Sequence, residues 1–265
     1  MSRNFELLQR IGREQSLYAT TTADEPIRER RLDPLGPMDP VEPLADVERV
    51  GSRLKIEGAE LDEITKLVQR VFLLPGGDSP HTVVFSGAES GNGCSWVCAR
   101  VAEVLASQVA GSVCLVDANL RNPGLNEQFE VQNHHGLTDA LRQREPVRTF
   151  AKALSCPRLW LLSSGSEIED GQSLLSSDRM RFRISELRSQ FDYVLIDTPA
   201  ITAYNDATVL GAATDGLVMV LKANSSRRES ARTAIQDLRA AKVRVLGAVL
   251  NQRTFPIPQA IYEKL

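Results

Sequence analysis

A glycine-rich stretch, SGAESGNGCSW at residues 86–96, holds the first side chains whose types and spacing could do chemistry. Gly91 and Gly93 suit a chain that must adopt positive φ, and Asn92 between them tolerates the same conformation. Backbone N–H groups that converge where such a loop enters a helix form a cradle for anions, phosphates above all. The stretch is equally typical of a tight connection between a strand and a helix, so both interpretations stay open for the loop alone.

The end of this loop determines which chemistry it could support. A phosphate-binding loop has a serine or threonine that meets the metal and a lysine directly before it. Ser95 fits the first role, but Cys94 stands where the lysine is required. For Trp96, packing in the core is the alternative to a role in binding. The residues of the loop that we predict to contact a phosphate-bearing cofactor are Ser90, Gly91, Asn92, Gly93, Cys94, Ser95 and Trp96.

Two aspartates each end an apolar run, Asp117 in VCLVD and Asp197 in YVLID. An aspartate at the end of a buried strand costs free energy unless it meets a cation or hydrogen-bond donors. Either residue alone is also typical of a helix cap or a turn. Together with the loop they predict a Mg²⁺–nucleotide site in which Ser95, Asp117 and Asp197 hold the metal. The same two aspartates are the candidate catalytic residues.

Short, continuously apolar runs alternate with amphipathic segments over most of the chain. Because strands covered by helices on both faces are apolar throughout, this pattern predicts an α/β fold with a doubly wound, mostly parallel sheet. Ligands bind at the carboxyl ends of such strands, where the loop and the two aspartates would meet. The predicted strands are 82–86, 113–116, 159–162, 193–196, 217–221 and 243–250, and the predicted helices lie near 61–72, 95–109, 137–144, 177–190, 205–213 and 227–241.

The beginning of the chain has a different composition. Five of the 13 prolines fall between residues 26 and 43, where their missing N–H groups prevent a regular ladder. We therefore predict that residues 1–50 form an N-terminal helix and a proline-rich linker, partly disordered, and that residues 51–265 form the α/β domain. The arm is either a partner-binding segment or a solvated tail with no fixed role.

The composition argues against several classes of protein. With 31 Lys and Arg against 34 Asp and Glu, the net charge of -3 disfavours sequence-independent binding to nucleic acid, which depends on neutralising many phosphates. No apolar run approaches the roughly 20 residues that span a bilayer, and the charged first residues lack the apolar centre of a secretory signal. Four cysteines in 265 residues do not make a disulfide framework, so we expect a cytoplasmic protein.

From residue 61 to its end, the chain resembles the cytoplasmic domain of the bacterial tyrosine kinases (BY-kinases) of capsule and exopolysaccharide synthesis, which are MinD/ParA-type P-loop ATPases. SGAESGNGCS resembles their Walker A loop, CLVDANLRNPGL their second metal motif and FDYVLIDTPA their Walker B motif. The resemblance implies a P-loop NTPase fold, ATP or ADP with Mg²⁺ as cofactor, and homo-oligomers. It also implies a transmembrane partner, a chain-length determinant or polysaccharide co-polymerase, that would hold the protein peripherally at the inner membrane.

The resemblance also assigns the end of the last apolar run. Asn251 and Arg253 lie where relatives in the wider family place adenine-contacting residues, and an amide side chain offers both a donor and an acceptor to a purine edge. A polar strand end without a binding role is the alternative.

The chain departs from the family pattern at positions that carry charge. Cys94 replaces the Walker A lysine, Asn119 replaces the second acid of the second metal motif, and Glu89 lies near the position of an additional signature lysine. Only Tyr262 lies near the end, where the family has a cluster of tyrosines. We therefore predict a kinase-like protein with impaired catalysis that acts as a nucleotide-responsive or scaffolding regulator of polysaccharide polymerisation or export.

Two alternatives stay open on the sequence alone. The protein could be a working tyrosine autokinase or ATPase that uses an unconventional cation, for which Lys222 and Arg121 are available. A ParA-like spatial organiser is the second alternative, and nucleotide-dependent binding to DNA or lipid would favour it.

Overall fold

The computed structural model describes residues 49–51, 58–74, 79–166 and 171–253. The predicted N-terminal arm lies outside the described residues except at its end, and the boundary after residue 50 stays a prediction. The strands are β1 (Thr82–Gly87), β2 (Val113–Asp117), β3 (Lys152–Ala153), β4 (Leu159–Leu162), β5 (Tyr193–Thr198), β6 (Gly216–Lys222) and β7 (Val245–Asn251). The α-helices of the described residues are α1 (Ala59–Val71), α2 (Cys94–Gln108), α3 (Leu125–Gln128), α4 (Leu137–Arg142), α5 (Gly171–Leu175), α6 (Asp178–Gln190), α7 (Asp206–Ala212) and α8 (Arg228–Ala240).

The strands form one sheet in the order β3-β4-β2-β5-β1-β6-β7. Every pairing is parallel apart from that of β3 with β4. The predicted doubly wound, mostly parallel sheet is confirmed, and each predicted strand is present with ends that agree within two residues. The apolar pattern does not predict β3, because two residues are too few to show a periodicity.

Helices cover both faces of the sheet. Val83 and Phe85 of β1 pack in the core formed with α1 and α2, whereas Val84 between them packs in the core formed with α4, α6, α7 and α8. All three side chains are fully buried, which explains why the strand is apolar at every position. Among the described residues, no helix is both long enough and apolar enough to cross a bilayer.

The order of the central strands brings the predicted site residues to one edge. β5 lies between β2 and β1, and the register places Asp117 beside Asp197 and Asp197 beside Phe85. Because the three strands are parallel, their carboxyl ends share an edge of the sheet. The glycine-rich loop that follows β1 therefore begins next to both aspartates.

A buried arginine joins two helices on the α6 face of the sheet. The guanidinium of Arg183 donates hydrogen bonds to the carbonyls of Ala140 and Gln143 near the end of α4, both at 2.8 Å, and pairs with Glu186 at 2.5 Å. Glu186 also accepts a hydrogen bond from the backbone N–H of Val147 at 2.8 Å. Arg183 is only 2% exposed, so loss of its charge would leave these acceptors without a donor inside the protein.

We expect Arg183→Met to lower the free energy of unfolding by about 3 kcal/mol, because removing one partner of a buried ion pair leaves the other uncompensated. Arg181→Met is the matched control on the same helix, since Arg181 pairs with Asp178 in solvent and exposed pairs contribute about 0.5 kcal/mol or less. Urea denaturation followed by circular dichroism measures both variants. Equal losses would contradict the role assigned to Arg183.

Candidate functional site

The glycine-rich loop is held open by its own backbone conformation and by two asparagines. Gly91 and Gly93 have φ of 79° and 75°, which favours glycine at both positions. The buried side chain of Asn92 donates to the carbonyl of Val220 in β6 at 3.0 Å, and Asn251 of β7 donates to the carbonyl of Asn92 at 3.0 Å. The loop is therefore tied to the neighbouring strands without any ligand.

Space around the loop also requires glycine where α2 begins. A Cβ atom at position 93 would lie 2.4 Å from the amide nitrogen of Asn251. Gly93 precedes the first residue of α2 and has no side chain that could cap it, so the first N–H groups of the helix have no capping partner there. This arrangement leaves N–H donors at the mouth of the loop, as an anion cradle requires.

The first residues of α2 are half-buried, and they include the predicted contacts Cys94, Ser95 and Trp96. The guanidinium of Arg100, one helical turn later, stacks over the Trp96 ring at 4.4 Å. Trp96 also packs against the core on the α2 face, which is the alternative that the sequence left open. Ser90 and Gly91, at the tip of the loop, are exposed.

Asp117 is fully buried and already satisfied by backbone donors. One carboxylate oxygen accepts from the N–H of Asn119 at 3.1 Å, and the other accepts from Gly124 at 3.2 Å and Leu125 at 3.1 Å. Burial raises the pKa of Asp117 to about 6, and these N–H groups limit the rise. The carboxylate thereby fixes the turn after β2 and the start of α3. A role as metal ligand stays a prediction.

Asp197 is equally buried but lacks such donors. Within the described part of the chain, neither of its carboxylate oxygens has a partner in hydrogen-bond geometry. Burial and, second to it, the charge of Asp117 raise the pKa of Asp197 to about 7. The hydroxyl of Ser95, the thiol of Cys94 and the backbone N–H of Thr198 lie close enough to lower this pKa in part. A buried polar group without a partner points to a missing ligand or water.

The position of the usual lysine holds a neutral group. A helix N-terminus ordinarily lowers the pKa of a thiol, but burial and then the charge of Asp197 raise the pKa of Cys94 well above its usual value. The same two causes raise the pKa of Cys98 one turn later. Both thiols are therefore protonated at neutral pH, and neither supplies the positive charge that a phosphate would meet.

The two cations suggested as replacements lie elsewhere. Arg121 approaches Asp206, with 3.8 Å between Nε and Oδ2, and its guanidinium stacks over the ring of Tyr204 at 4.1 Å. Lys222 ends β6, which is separated from β5 by β1. Among the described residues, no lysine or arginine forms an ion pair with Asp117 or Asp197.

The oxygens at this edge fit a Mg²⁺ ion that binds together with a nucleotide. Asp197 offers two unpartnered carboxylate oxygens, and Ser95 has its hydroxyl beside them. Mg²⁺ is usually held by one or two carboxylates, with phosphate oxygens and water as its other ligands. No three His, Cys, Asp or Glu side chains of the described ranges group closely enough to hold an ion by themselves, so the nucleotide would have to complete the site.

The two residues predicted to contact adenine lie at the end of β7. Asn251 is half-buried and holds the loop through Asn92, so its amide has a structural role beside any contact with a base. Arg253 is exposed, and its charge contributes to a lowered pKa of Glu63 in α1, for which Lys66 is the main cause. The structure thus brings Asn251 to the loop and places Arg253 toward α1.

Solved structures with this fold include a kinase domain and an ATPase. The kinase domain of the Escherichia coli tyrosine kinase ETK superposes with a TM-score of 0.67 at 22% identity, covering 75% of this chain and 79% of that one. The cell division ATPase MinD of Pyrococcus furiosus superposes with a TM-score of 0.56 at 22% identity, covering 70% and 78%. At these identities the likeness shows the fold.

Sequence comparison extends the likeness beyond the fold. Tyrosine-protein kinase YwqD of Bacillus subtilis (strain 168) is 34% identical over 170 residues, which is 64% of this chain and 71% of YwqD. Other bacterial tyrosine-protein kinases are 26–32% identical, but the chain spans only 23–24% of their length.

The family model described as "Cellulose biosynthesis protein BcsQ" matches residues 81–238, more than half of the chain. This range begins just before β1 and therefore includes the glycine-rich loop and both aspartates. The agreement of family model, sequence relative and fold leads to one conclusion. The chain belongs to the family of the bacterial tyrosine-protein kinases, and the family model of the cellulose biosynthesis protein BcsQ matches the same domain.

Proposed function

We propose that this protein is a nucleotide-responsive regulator of exopolysaccharide or capsule synthesis whose own phosphoryl transfer is impaired. One observation carries the proposal. Asp117 and Asp197 lie side by side in a buried edge, and among the described residues no lysine or arginine forms an ion pair with either carboxylate. A working site of this kind needs positive charge where phosphate charge develops.

Nucleotide binding can survive this loss. The backbone N–H groups at the start of α2 would hold the phosphates, and Asp197 with Ser95 would hold Mg²⁺, which supplies neutralisation of phosphate charge when bound. A missing charge-assisted hydrogen bond to phosphate costs about 1.5–3 kcal/mol of binding, or about 10- to 100-fold in affinity. The hydrogen bond from Asn251 to the carbonyl of Asn92 maintains the conformation of the loop when no nucleotide is bound.

Turnover is affected more strongly than binding. Removing one electrostatic donor to a transition state lowers the rate by about 10²–10³-fold. Glu89 is half-buried in the loop and adds a negative charge near the predicted phosphate position. Arg121, the arginine of the second metal motif, pairs with Asp206 and stacks over the ring of Tyr204. The chain thus binds a nucleotide as a signal rather than as a substrate to be consumed.

The polysaccharide setting is supported by the names of the relatives. The matching family model is described as a cellulose biosynthesis protein, and the relatives of known name are bacterial tyrosine kinases. In this setting the chain would act through a transmembrane chain-length determinant or co-polymerase at the inner membrane, and through contacts between copies of itself. Loss of the nucleotide would then weaken the binding between this chain and its partner or abolish it.

Replacing the thiol with a cation tests the central step. We expect Cys94→Lys to raise the affinity for Mg²⁺–ATP about 10- to 100-fold and to raise the rate of γ-phosphate release, because the ammonium would meet both the phosphates and Asp197. Labelled ATP with Mg²⁺ gives the rate, and isothermal titration calorimetry with ATP and ADP gives the affinity.

Cys94→Met is the matched control, since it lengthens the side chain without adding charge and should leave both quantities near those of the wild type. Asp197→Ala in the Cys94→Lys background should abolish the gained activity. If instead the wild type turns over ATP at a rate that Asp197→Ala abolishes and Cys94→Lys does not increase, the working-kinase alternative is correct.

The raised pKa of Asp197 makes the stability of the free protein depend on pH. An unfolded aspartate has a pKa of 3.8 and the folded one about 7, so between these values the folded state binds more protons and stability falls as pH rises. Asp197→Asn removes this loss, and we expect the variant to exceed the wild type by about 1–3 kcal/mol at pH 8 and to match it closely at pH 4.

Urea denaturation at pH 4, 6 and 8 measures the difference. Asp192→Asn is the control of opposite sign, because hydrogen bonds from Ser112 lower the pKa of Asp192, so its charged form stabilises the fold above the unfolded pKa. That variant should be less stable than the wild type at pH 8. An Asp197→Asn variant that is also less stable at pH 8 would show that the carboxylate has a partner in the free protein.

A further inference from the structure

β7 is the last strand at one side of the sheet, and no strand of the described residues pairs with its outer side. On the inner side, the carbonyl of Asn251 accepts a hydrogen bond at 2.8 Å from the N–H of Ala223, directly after β6. Because successive residues of a strand turn their backbone groups to opposite sides, the N–H and C=O of Ala248 and Leu250 point away from β6. In the described part of the chain, these groups have no hydrogen-bond partner.

The sequence of β7 does nothing to protect this side. Edge strands are commonly protected from pairing by charged residues, proline or bulges, but VLGAVLN contains no charge and no proline. The only irregularity in its pairing lies at its start, opposite Leu217 and Val218. Leu250 is 56% exposed, and Ala248 is exposed as well. From Gly247 to its end, β7 is therefore a regular apolar strand that another chain can extend.

The last α/β unit of the chain is also strongly basic. Residues 222–253 contain eight Lys and Arg against two Asp and Glu, although the net charge of the whole chain is -3. Arg228, Arg232 and Arg239 of α8 are exposed, and within the described ranges none of them forms an ion pair or a hydrogen bond of its side chain. Their charges are thus available to a ligand.

The three arginines share one flank of α8. Spacings of four and then seven residues return to nearly the same angle around a helix of 3.6 residues per turn. The buried residues Ala234 and Leu238 fix the face of α8 that packs on the sheet. Because α8 joins β6 to β7 through a right-handed crossover, the flank with the arginines faces past β7 toward its unpaired side.

The acids of α8 do not cancel this charge. Asp237 lies on the other flank of the helix, some 160° from Arg239 around its axis. Glu229 lies one turn from Arg232 without forming an ion pair with it. Even if Glu229 is counted against the flank, three cations face one acid there.

A backbone ladder and a row of cations restrict the class of ligand. Phosphates of nucleic acid or lipid accept hydrogen bonds but cannot donate to the carbonyls of Ala248 and Leu250. A second copy that paired β7 with β7 across a two-fold axis would bring the two rows of arginines together, and their charges would repel. An extended peptide with carboxylate side chains satisfies both the ladder and the arginines.

The spacing of the arginines indicates where the carboxylates would lie. Arg228 and Arg232 are separated by about 6 Å along the axis of α8, and side chains on one face of a strand recur about every 7 Å. Acids at alternate positions of an added strand therefore follow the arginines. The positions between them would lie on the opposite face of the sheet beside Val249, which is only partly buried, so apolar side chains are favoured there.

We propose that the unpaired side of β7 binds an extended segment of a partner protein in which acidic and apolar residues alternate. The segment adds a strand to the sheet, and its carboxylates pair with Arg228, Arg232 and Arg239. This inference goes beyond the proposed function and does not rest on it, because the contacts it invokes need no nucleotide.

Fluorescence anisotropy with a labelled twelve-residue peptide tests the class of ligand. We expect a peptide in which Glu and Val alternate to bind at least tenfold more tightly than a peptide of the same composition with all Glu residues in one block. A third peptide, in which Lys replaces Glu, should not bind. Equal affinity for the alternating and the block peptide would show that charge alone is recognised and would overturn the strand addition.

Ala248→Pro tests the backbone ladder. Proline removes the N–H on the unpaired side and is tolerated on an edge strand when that N–H faces solvent, so we expect the variant to remain folded and to bind the alternating peptide at least tenfold more weakly. Ala248→Val is the matched control, since it keeps the N–H and should bind within twofold of the wild type. Urea denaturation checks the folding of both, and a folded Ala248→Pro variant with unchanged affinity would overturn the proposal.

The double variant Arg228→Gln and Arg232→Gln tests the charges without altering the backbone of β7. Two exposed ion pairs together account for about a 3- to 10-fold change in affinity, and we expect that loss for the alternating peptide. Arg142→Gln with Arg144→Gln is the matched control, because both residues are exposed, lie outside α8 and β7, and change the net charge equally. Equal losses in the two double variants would overturn the assignment to α8.

Competition separates a peptide from other anionic partners. An oligothymidylate and vesicles that contain phosphatidylglycerol, each at the same concentration of negative charge as the peptide, should leave the alternating peptide bound. Displacement by either would overturn the proposal and assign the arginines to nucleic acid or to lipid. Saturating Mg²⁺–ADP should also leave the peptide bound, whereas displacement by ADP would place the peptide at the glycine-rich loop and contradict the assignment to β7.

Discussion

The repulsion between two neighbouring buried carboxylates is the main constraint on this structure. Parallel register places Asp117 directly beside Asp197, and both are fully buried where the central strands end. Simultaneous ionisation of two neighbouring carboxyl groups is unfavourable in a medium of low dielectric, because their negative charges repel. A cation would relieve the repulsion, but the position directly before Ser95, where a phosphate-binding loop has a lysine, holds the neutral thiol of Cys94. The edge must therefore divide its protons between the two acids or receive positive charge from a ligand.

The protein relieves only one of the two acids. Backbone N–H groups converge on Asp117 because the turn after β2 folds around it and leads into α3. Asp197 has no such turn, since the chain after β5 continues toward α7. Its free oxygens are thus the point at which a metal or a proton must enter. Under the proposed function, this asymmetry leaves Asp197 as the acid that a ligand would meet.

The shape of the loop does not depend on that lysine either. Asn92 reaches β6, and Asn251 reaches the loop from β7, so the cradle is built from contacts within the protein. Loss of the cation therefore removes charge but leaves the backbone donors in place. This separation of shape from charge makes retained binding with reduced turnover physically reasonable for this chain.

Much of the fold could be predicted from the apolar runs, because a strand buried on both faces shows them plainly, as β1 does with Val83, Val84 and Phe85. The apolar runs end before the site residues, so the predicted strands are shorter than the observed ones. The pattern stops at Val116 and Ile196, but the ladder continues through the two aspartates, whose polarity hides their burial. The hydrogen bond between Asn92 and Asn251 joins residues that are 159 apart in the sequence, and no local sequence pattern predicts it.

The aspartates of the two edges show how such sites can be distinguished. Burial opposes the charge of Asp215, but N–H groups from Thr82 and His81 outweigh it and lower its pKa. Asp197 has no partner in hydrogen-bond geometry within the described ranges, and burial is the main cause that raises its pKa. An acid whose oxygens are satisfied by the backbone serves the fold, whereas one left unsatisfied needs something that the chain does not supply.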